Sequence, residues 1–377
     1  MSLRVNRAGP ILVAGNLVLD LFPALGNRAA SYGDLFKAGA LIDVGSMSFA
    51  PGGCVANTGI ALHKLGVPVR FAAKVGNDAL GKVLRGLIGD LDARLGAMPT
   101  VDKKSSTSYS VVLSPPKLDR IFLHHCGAND EFRATDVQPR HLQGASLIHV
   151  GYPPLMKRLY ENDGAELVTI FKRARAKGLV TSLDMAMPDA KSAAGRIHWR
   201  RFFSNVLPLT DFFLPSVDEM AVMLHLGRKK IRWEQIREIA DRSLAWGAKL
   251  VMLKMGDQGA YLRTSDDESL RRDWREREIH SPCFNVKVAG TTGSGDCTIA
   301  GLLAAWHRGE LIEDALTHAL AVGAHSVERQ DATSGIAPGE EIARRIGAGW
   351  RKRRASAPGA GWTRNGSKLW FGPQDRK

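Results

Sequence analysis

Short apolar runs alternate with segments of amphipathic helical spacing through most of this chain, and that alternation limits the folds open to it more than any other feature. Runs such as "ILVAGNLVLDL", "VRFAAKVG", "SLIHVG", "LVTSLDM", "DFFLPS" and "KLVMLKMG" are separated by segments such as "VANTGIALHKLG", "AELVTIFKRARAKG" and "WEQIREIADRSLAWGA". A strand that leads into a helix of about 10 to 15 residues returns to the same edge of the sheet, so successive strands pair in parallel. The expected fold class is therefore α/β, with a doubly wound, mostly parallel sheet. Two stretches break the rhythm. "SYGDLFKAGALIDVGSMSFAP" and "TSYSVVLSPPKLDRIFLHHCGAN" are β-rich without intervening helices, and the second reads as a hairpin around "SPPKLD". They predict a small projecting β-sheet lid, with strands from about residues 31–51 and 105–128. The charged "SDDESLRRDWREREIHS" is expected to be a surface loop.

The 377 residues, 44% hydrophobic and 24% charged, are ordinary for a globular protein with a sizeable core. The four cysteines have no CxxC pairing and no histidine at zinc-site spacing, which fits a reducing, cytoplasmic setting. Asn16 and Asp20 interrupt the apolar N-terminal run, so it reads as a buried strand rather than a signal segment, and no other run is long enough to span a membrane. The net charge of +14 raises the question of a nucleic-acid partner. Residues 344–377 hold ten basic residues against one acid, Asp375, leaving only +5 for the rest. The division expected is a globular unit over 1–343 and a basic, mobile tail over 344–377. A solvated tail explains the charge without nucleic acid, and the tail's interleaved tryptophans leave it as the single candidate for such binding.

In open parallel sheets, ligands bind beyond the carboxyl ends of the strands. Polar groups cluster at such ends here: Asp20 after the first run, Gly52, Gly53 and Asn57 in "PGGCVAN", Asp184 after "LVTSL" and Glu219 after "DFFLPSVD". "VAGTTGSGDCTIA" places three glycines and Asp296 at the start of a helical pattern. Free backbone N–H groups and the positive end of the helix dipole make such a turn an anion site. A Walker A loop would need a lysine followed by Ser or Thr after these glycines, and a dinucleotide fingerprint would need glycine where Thr298 stands.

"PGGCVANTGIALHKLG" with "RFAAKVGNDALGKVL", and "TTGSGDCTIAGLLAAW" near the other end, resemble the two signature regions of the PfkB (ribokinase-like) carbohydrate kinase family, and the resemblance runs in order over about residues 10–340. It implies a ribokinase-like fold and ATP-dependent phosphorylation of a hydroxyl, usually primary, on a sugar or nucleoside. By that resemblance Asp296 is the catalytic base, and Gly293, Ser294 and Gly295 form the anion hole. Asp20, Gly52, Gly53 and Asn57 hold acceptor hydroxyls, and Asn129 and Arg120 close over them. Lys254, Gly256, Gly259 and Gly323 contact ATP, and Glu219 acts on Mg2+ through water. The sequence departs from the family pattern at Ser216, where an NxxE element begins with Asn, and at Gly290, where a DTxGxGD pattern begins with an acid. A homodimer, where formed, would pair through the lid. The alternatives are a nucleoside kinase of the same fold and a catalytically silent sugar-binding protein.

Overall fold

A strand covered on both faces needs apolar side chains at every position, and the runs that carry them here become the centre of the sheet. The structure, a computed structural model, describes residues 8–26, 31–115, 118, 120–227, 231–365 and 369–376. Its strands in chain order are β1 (Ile11–Gly15), β2 (Val18–Pro23), β3 (Met47–Gly52), β4 (Val69–Ala72), β5 (Lys74–Gly76), β6 (Thr100–Asp102), β7 (Tyr109–Leu113) and β8 (Ile121–His125). The second half adds β9 (Leu147–Gly151), β10 (Val180–Leu183), β11 (Phe212–Phe213), β12 (Leu250–Lys254), β13 (Ala260–Thr264), β14 (Glu278–Ser281), β15 (Thr363–Asn365) and β16 (Leu369–Phe371).

Ten of these form one sheet in the order β15-β16-β14-β13-β12-β11-β10-β9-β1-β4. From β4 to β12 the strands are parallel, and from β12 to β15 they pair antiparallel. Alternate residues of each strand enter opposite cores. Ile11, Val13, Leu250 and Met252 face the helices Gly53–Lys64, Ser294–Arg308 and Ile312–Ser326. Leu12, Ala14, Val251 and Leu253 face Ala165–Ala176, Trp199–Val206 and Trp233–Ala245. The expected doubly wound architecture is thus present. No helix among the described residues is long and apolar enough to cross a membrane.

The lid is a separate sheet in the order β3-β2-β7-β8, and its composition corrects the expectation in two ways. The run "ILVAGNLVLDL" is two strands: it leaves the main sheet after Gly15 and enters the lid at Val18, so Asp20 lies inside β2, opposite Ala50 and Ser110. The break is pinned by Asn129, whose side chain accepts from Leu17 N (3.2 Å) and donates to Leu17 O (3.1 Å). Within 31–51 only β3 is a strand, preceded by a 3-10 turn at Tyr32–Asp34. The β7–β8 pairing is antiparallel, as a hairpin requires, although Pro116, Lys117 and Asp119 of "SPPKLD" lie outside the described residues.

The charged insertion and the basic tail also differ from the expectation, and for a shared reason. The insertion contains β14 and the buried Trp274, and the tail supplies β15 and β16, which extend the sheet beyond β14. Trp362 packs with Trp233 and Tyr261 at ring distances of 6.2 and 6.1 Å. Arg277 pairs with Glu313 (2.9 Å) and with Asp375 (2.8 Å), and Glu278 accepts from Tyr261 OH (2.8 Å) and from Gln374 N (2.9 Å). Local composition alone reads these segments as solvated. Their charges are instead matched across a sequence separation of nearly 100 residues.

Arg277 and Asp375 keep only 4% and 5% of their side-chain surface. Removing one partner of a buried pair costs about 3–5 kcal/mol, and Arg277 retains Glu313. Asp375→Ala is expected to lower the urea midpoint by the equivalent of about 3 kcal/mol or somewhat less, with an unchanged slope. A midpoint unaltered by the substitution would mean that the tail adds no stability.

Candidate active site

The carboxyl ends of β1, β9, β10 and β12 open on one edge of the sheet, and the helices Gly53–Lys64 and Ser294–Arg308 begin over the same edge. This arrangement concentrates side chains that are far apart in sequence. Gly293 caps the second helix at φ +68°, and a Cβ there would come within 2.4 Å of the Ala332 Cβ, so only glycine fits. The turn sets Asp296 in the first helical turn, where it is 1% exposed.

Three donors hold that carboxylate. Asn57 Nδ2 and Tyr152 OH donate to Oδ2 at 3.0 and 2.5 Å, and Thr58 Oγ1 donates to Oδ1 at 3.3 Å. Burial pushes the Asp296 carboxyl above its ordinary range. The hydrogen bond from Tyr152, the charge of Lys254 and the bonds from Asn57 and Thr58 oppose that rise. Tyr152 lines the cavity beside Asp296, a position that the sequence did not single out. It follows β9 directly, in the left-handed region at φ 65°, ψ 42°, which disfavours residues other than glycine. The rule of strand carboxyl ends applied to "LIHVGY" is the signal that could have found it.

Lys254 ends β12 and donates to Asp184 Oδ1 at 2.6 Å, while the position of a Cβ on Gly295 would lie 3.6 Å from its ammonium nitrogen. Lys254 thus bridges the buried acids and the glycine turn. Burial raises the carboxyls of Asp184 and Glu219; burial also opposes charge on Lys254, but Asp184 and Glu219 outweigh it and keep the ammonium protonated. Glu219 has a local task as well. With Ser216 it forms a capping box, Ser216 N donating to Glu219 Oε2 (2.7 Å) and Glu219 N to Ser216 Oγ (3.2 Å). The serine at this position is therefore a helix cap.

A cavity of about 1020 Å³ joins these groups. Its wall includes Asp184, Glu219, Lys254, Gly256, Gly259, Gly293, Ser294, Gly295, Asp296 and Gly323, with Arg120 and Tyr152 at the lid side. Gly323 has a packing reason too, because a Cβ there would meet Thr298 Oγ1 at 2.2 Å, between the two helices behind the site. Gly290 is explained by the backbone of Arg329 and Gln330. A Cβ at 290 would approach the Gln330 carbonyl to 2.7 Å, so an acid has no room.

Asn57 reaches Asp296, whereas Asp20, Gly52 and Gly53 meet at the junction of β2, β3 and the helix Gly53–Lys64, and none of the four is in the cavity wall. The Asp20 carboxylate packs so tightly on Gly52 that a Cβ there would meet its Oδ2 at 2.1 Å. Gly53, at φ +79°, admits the Asn16 side chain in the same way, with Oδ1 at 2.4 Å from the position of a Cβ. Asn16 is the second position that the sequence analysis passed over, noting it only as an interruption of an apolar run. Both ends of its amide are buried without a partner, as is Asn57 Oδ1. Asn129 does not join this group. Its side chain is fully engaged with Leu17, so the expected contact with an acceptor is replaced by a structural role.

No group of three or more His, Cys, Asp or Glu side chains suited to a metal ion occurs among the described residues. Mg2+ keeps several waters and takes one or two carboxylates alongside substrate phosphates. Asp184 and Glu219, in the wall of the cavity that also includes Gly293, Ser294 and Gly295, fit that mode rather than a closed protein cage.

Known proteins resemble this chain in sequence and in fold. The model of the pfkB family carbohydrate kinases matches residues 23–338. An uncharacterized sugar kinase of Archaeoglobus fulgidus is 24% identical over 278 residues, covering 74% of this chain and 98% of the relative. A 5-dehydro-2-deoxygluconokinase of Photobacterium profundum is 24% identical over 350 residues, covering 91% of this chain and 96% of that protein. Among solved structures, Arabidopsis thaliana ribokinase complexed with ribose and ATP superposes with a TM-score of 0.71 at 20% identity, over 89% of this chain and 98% of the other.

Burial drives the Asp20 carboxyl up to about 7 from an ordinary 3.8, against a hydrogen bond from Ser110. The folded chain therefore holds a proton that the unfolded chain gives up between about pH 4 and pH 7, and this group weakens stability as pH rises through that window. Asp20→Asn is expected to match the parent near pH 4. At pH 8, without ligands, it should be more stable by on the order of a few kcal/mol. Urea unfolding at the two pH values measures the difference; a parent at least as stable as the variant at pH 8 would refute burial as the dominant influence.

Proposed function

The chain belongs to the pfkB family of carbohydrate kinases, sugar kinases that phosphorylate an alcohol group, and from that premise we propose that it transfers the γ-phosphoryl group of ATP to a hydroxyl, primary by preference, of a sugar or sugar acid. The observation that carries this reading is the Asp296 carboxylate in the cavity wall, bonded to Asn57, whose amide oxygen is buried without a partner, as are both amide atoms of Asn16 against Gly53. An unpaired buried polar atom costs about 1–3 kcal/mol, a cost that a polyol hydroxyl relieves by donating and accepting at once.

In the transfer, an acceptor hydroxyl takes the place of one of the donors on Asp296. As its oxygen bonds to the γ-phosphorus and the bond to the β-phosphate oxygen breaks, the hydroxyl proton passes to Asp296 and ADP leaves. Burial makes Asp296 a stronger base, which suits it to receive that proton. The amides of Gly293, Ser294 and Gly295, with the helix dipole, face the charge of the transferring group. Lys254, held by Asp184 beside Gly295, adds fixed positive charge next to the same turn. Glu219 and Asp184 are the residues that would hold Mg2+, which would supply further charge neutralisation. Arg120 at the lid side gives an acceptor carboxylate a partner, which supports including sugar acids among the substrates.

The test is ATP consumption across a panel of sugars, sugar acids and nucleosides, with the best acceptor carried into Asp296→Asn. The variant should keep its fold and lose about 10²- to 10⁴-fold in kcat. Near-normal turnover would remove Asp296 from the base role, and no turnover with any acceptor would favour a silent binding protein. Tyr152→Phe removes a hydrogen bond that lowers the Asp296 pKa, so the acid limb of its kcat profile should move to higher pH. A limb that stays in place or moves down would show that the phenol does not bear on the base.

A further inference from the structure

Residues 350–353 lie beyond the 23–338 span of the family match, yet they reach the active cavity. They run antiparallel beside residues 283–285. Asn285 N donates to Arg351 O (2.9 Å), Arg353 N donates to Cys283 O (2.7 Å), and Phe284 bridges to Lys352. Trp350 secures the strap from its other end: its ring lies 4.4 Å from that of Phe284, and its Nε1 donates to Asn285 O at 3.0 Å. The consequence is that Arg353 is delivered to the cavity wall, where its Nη1 donates to Asp257 Oδ2 at 2.9 Å. Asp257 follows Gly256 in the turn after β12.

Charge gives this placement a meaning. The cavity wall carries five carboxylates, Asp184, Asp218, Glu219, Asp257 and Asp296, against three cations, Arg120, Lys254 and Arg353. A polyphosphate entering such a wall needs cations able to turn toward it. Lys254 is buried and committed to Asp184, which lies against Glu219 and Asp296. Arg353 differs: its side chain is 50% exposed, and Asp257 is 70% exposed. An exposed pair contributes about 0–1 kcal/mol, so exchanging Asp257 for a phosphate loses little. The guanidinium fork also matches two phosphate oxygens at once.

We propose that the 350–353 strap is part of the nucleotide site, and that Arg353 leaves Asp257 to bind a phosphate of the nucleotide that is not transferred. The proposal rests on the reading of this cavity as the ATP site. ADP is the suitable probe, because it contains only the phosphates that stay behind and needs no acceptor. In calorimetric titrations of the full chain with ADP and Mg2+, Arg353→Ala should weaken binding about tenfold or more, as expected for loss of a charge-assisted hydrogen bond. Arg353→Gln, which keeps most of the stem packed, should show a similar loss. Asp257→Ala should bind at least as tightly as the parent, since it frees the guanidinium and removes a repelling carboxylate. Opposite behaviour of the two partners is what a merely structural ion pair would not produce. Weakening in both Arg353→Ala and Asp257→Ala, or unaltered affinity in Arg353→Ala, overturns the proposal. A parent chain that binds neither ADP nor ATP overturns the nucleotide reading itself, and the role of Arg353 with it.

Discussion

One ammonium, that of Lys254, whose side chain is 11% exposed, faces the carboxylates of Asp184, Glu219 and Asp296, and much of the architecture serves to bring these four groups to one place. Asp184 follows β10, Lys254 ends β12, and the other two acids stand in the first turns of different helices. Isolated charges in a core are prohibitive, and a pair is tolerated only where geometry is close and further hydrogen bonds complete it. Parallel strands meet that requirement because their carboxyl ends share an edge. The three acids still outnumber the lysine. That imbalance suits a site that works on phosphate with a divalent cation, and it leaves the ligand-free protein with carboxyls raised by burial.

Around this cluster the backbone is packed too closely for side chains. The turn at Gly293 rests on Ala332, and Gly52 rests on the carboxylate of Asp20, which ties the lid strand β2 to the start of the helix that carries Asn57. Near that junction the buried amide atoms of Asn16 and the Asn57 amide oxygen lack partners. An unpaired buried polar atom weakens the protein that holds it, so these positions cost stability in the ligand-free chain.

The C-terminal region shows a second use of long-range pairing. Its basic residues meet acids of the globular body, Arg345 with Glu328 (2.8 Å) and Arg376 with Glu276 (2.6 Å), while its apolar residues complete both cores. The edge of the sheet beyond β14 is thereby covered. Charge density in a sequence says only that a segment can be solvated. Whether it is depends on acids placed elsewhere in the chain.

The sequence by itself determined the sheet class and the glycine turn that sets Asp296 at a helix start, because each is written in local pattern: apolar runs of strand length, helical spacing, and glycine ahead of a helix. The resemblance to the kinase family marked Lys254, Glu219 and Gly323, which line one cavity with Asp296, although the capping and packing tasks of Glu219 and Gly323 were not legible. Tertiary structure alone decided the rest. It split one apolar run between two sheets, turned Asn129 from an expected lid contact into the pin of that split, and brought Tyr152 and Asn16 to Asp296 and its neighbours. It also ordered the tail and set Arg353 in the cavity wall. These are matters of which distant groups meet, and a buried polar side chain reads alike in sequence whether its partner is a backbone, a carboxylate or a ligand.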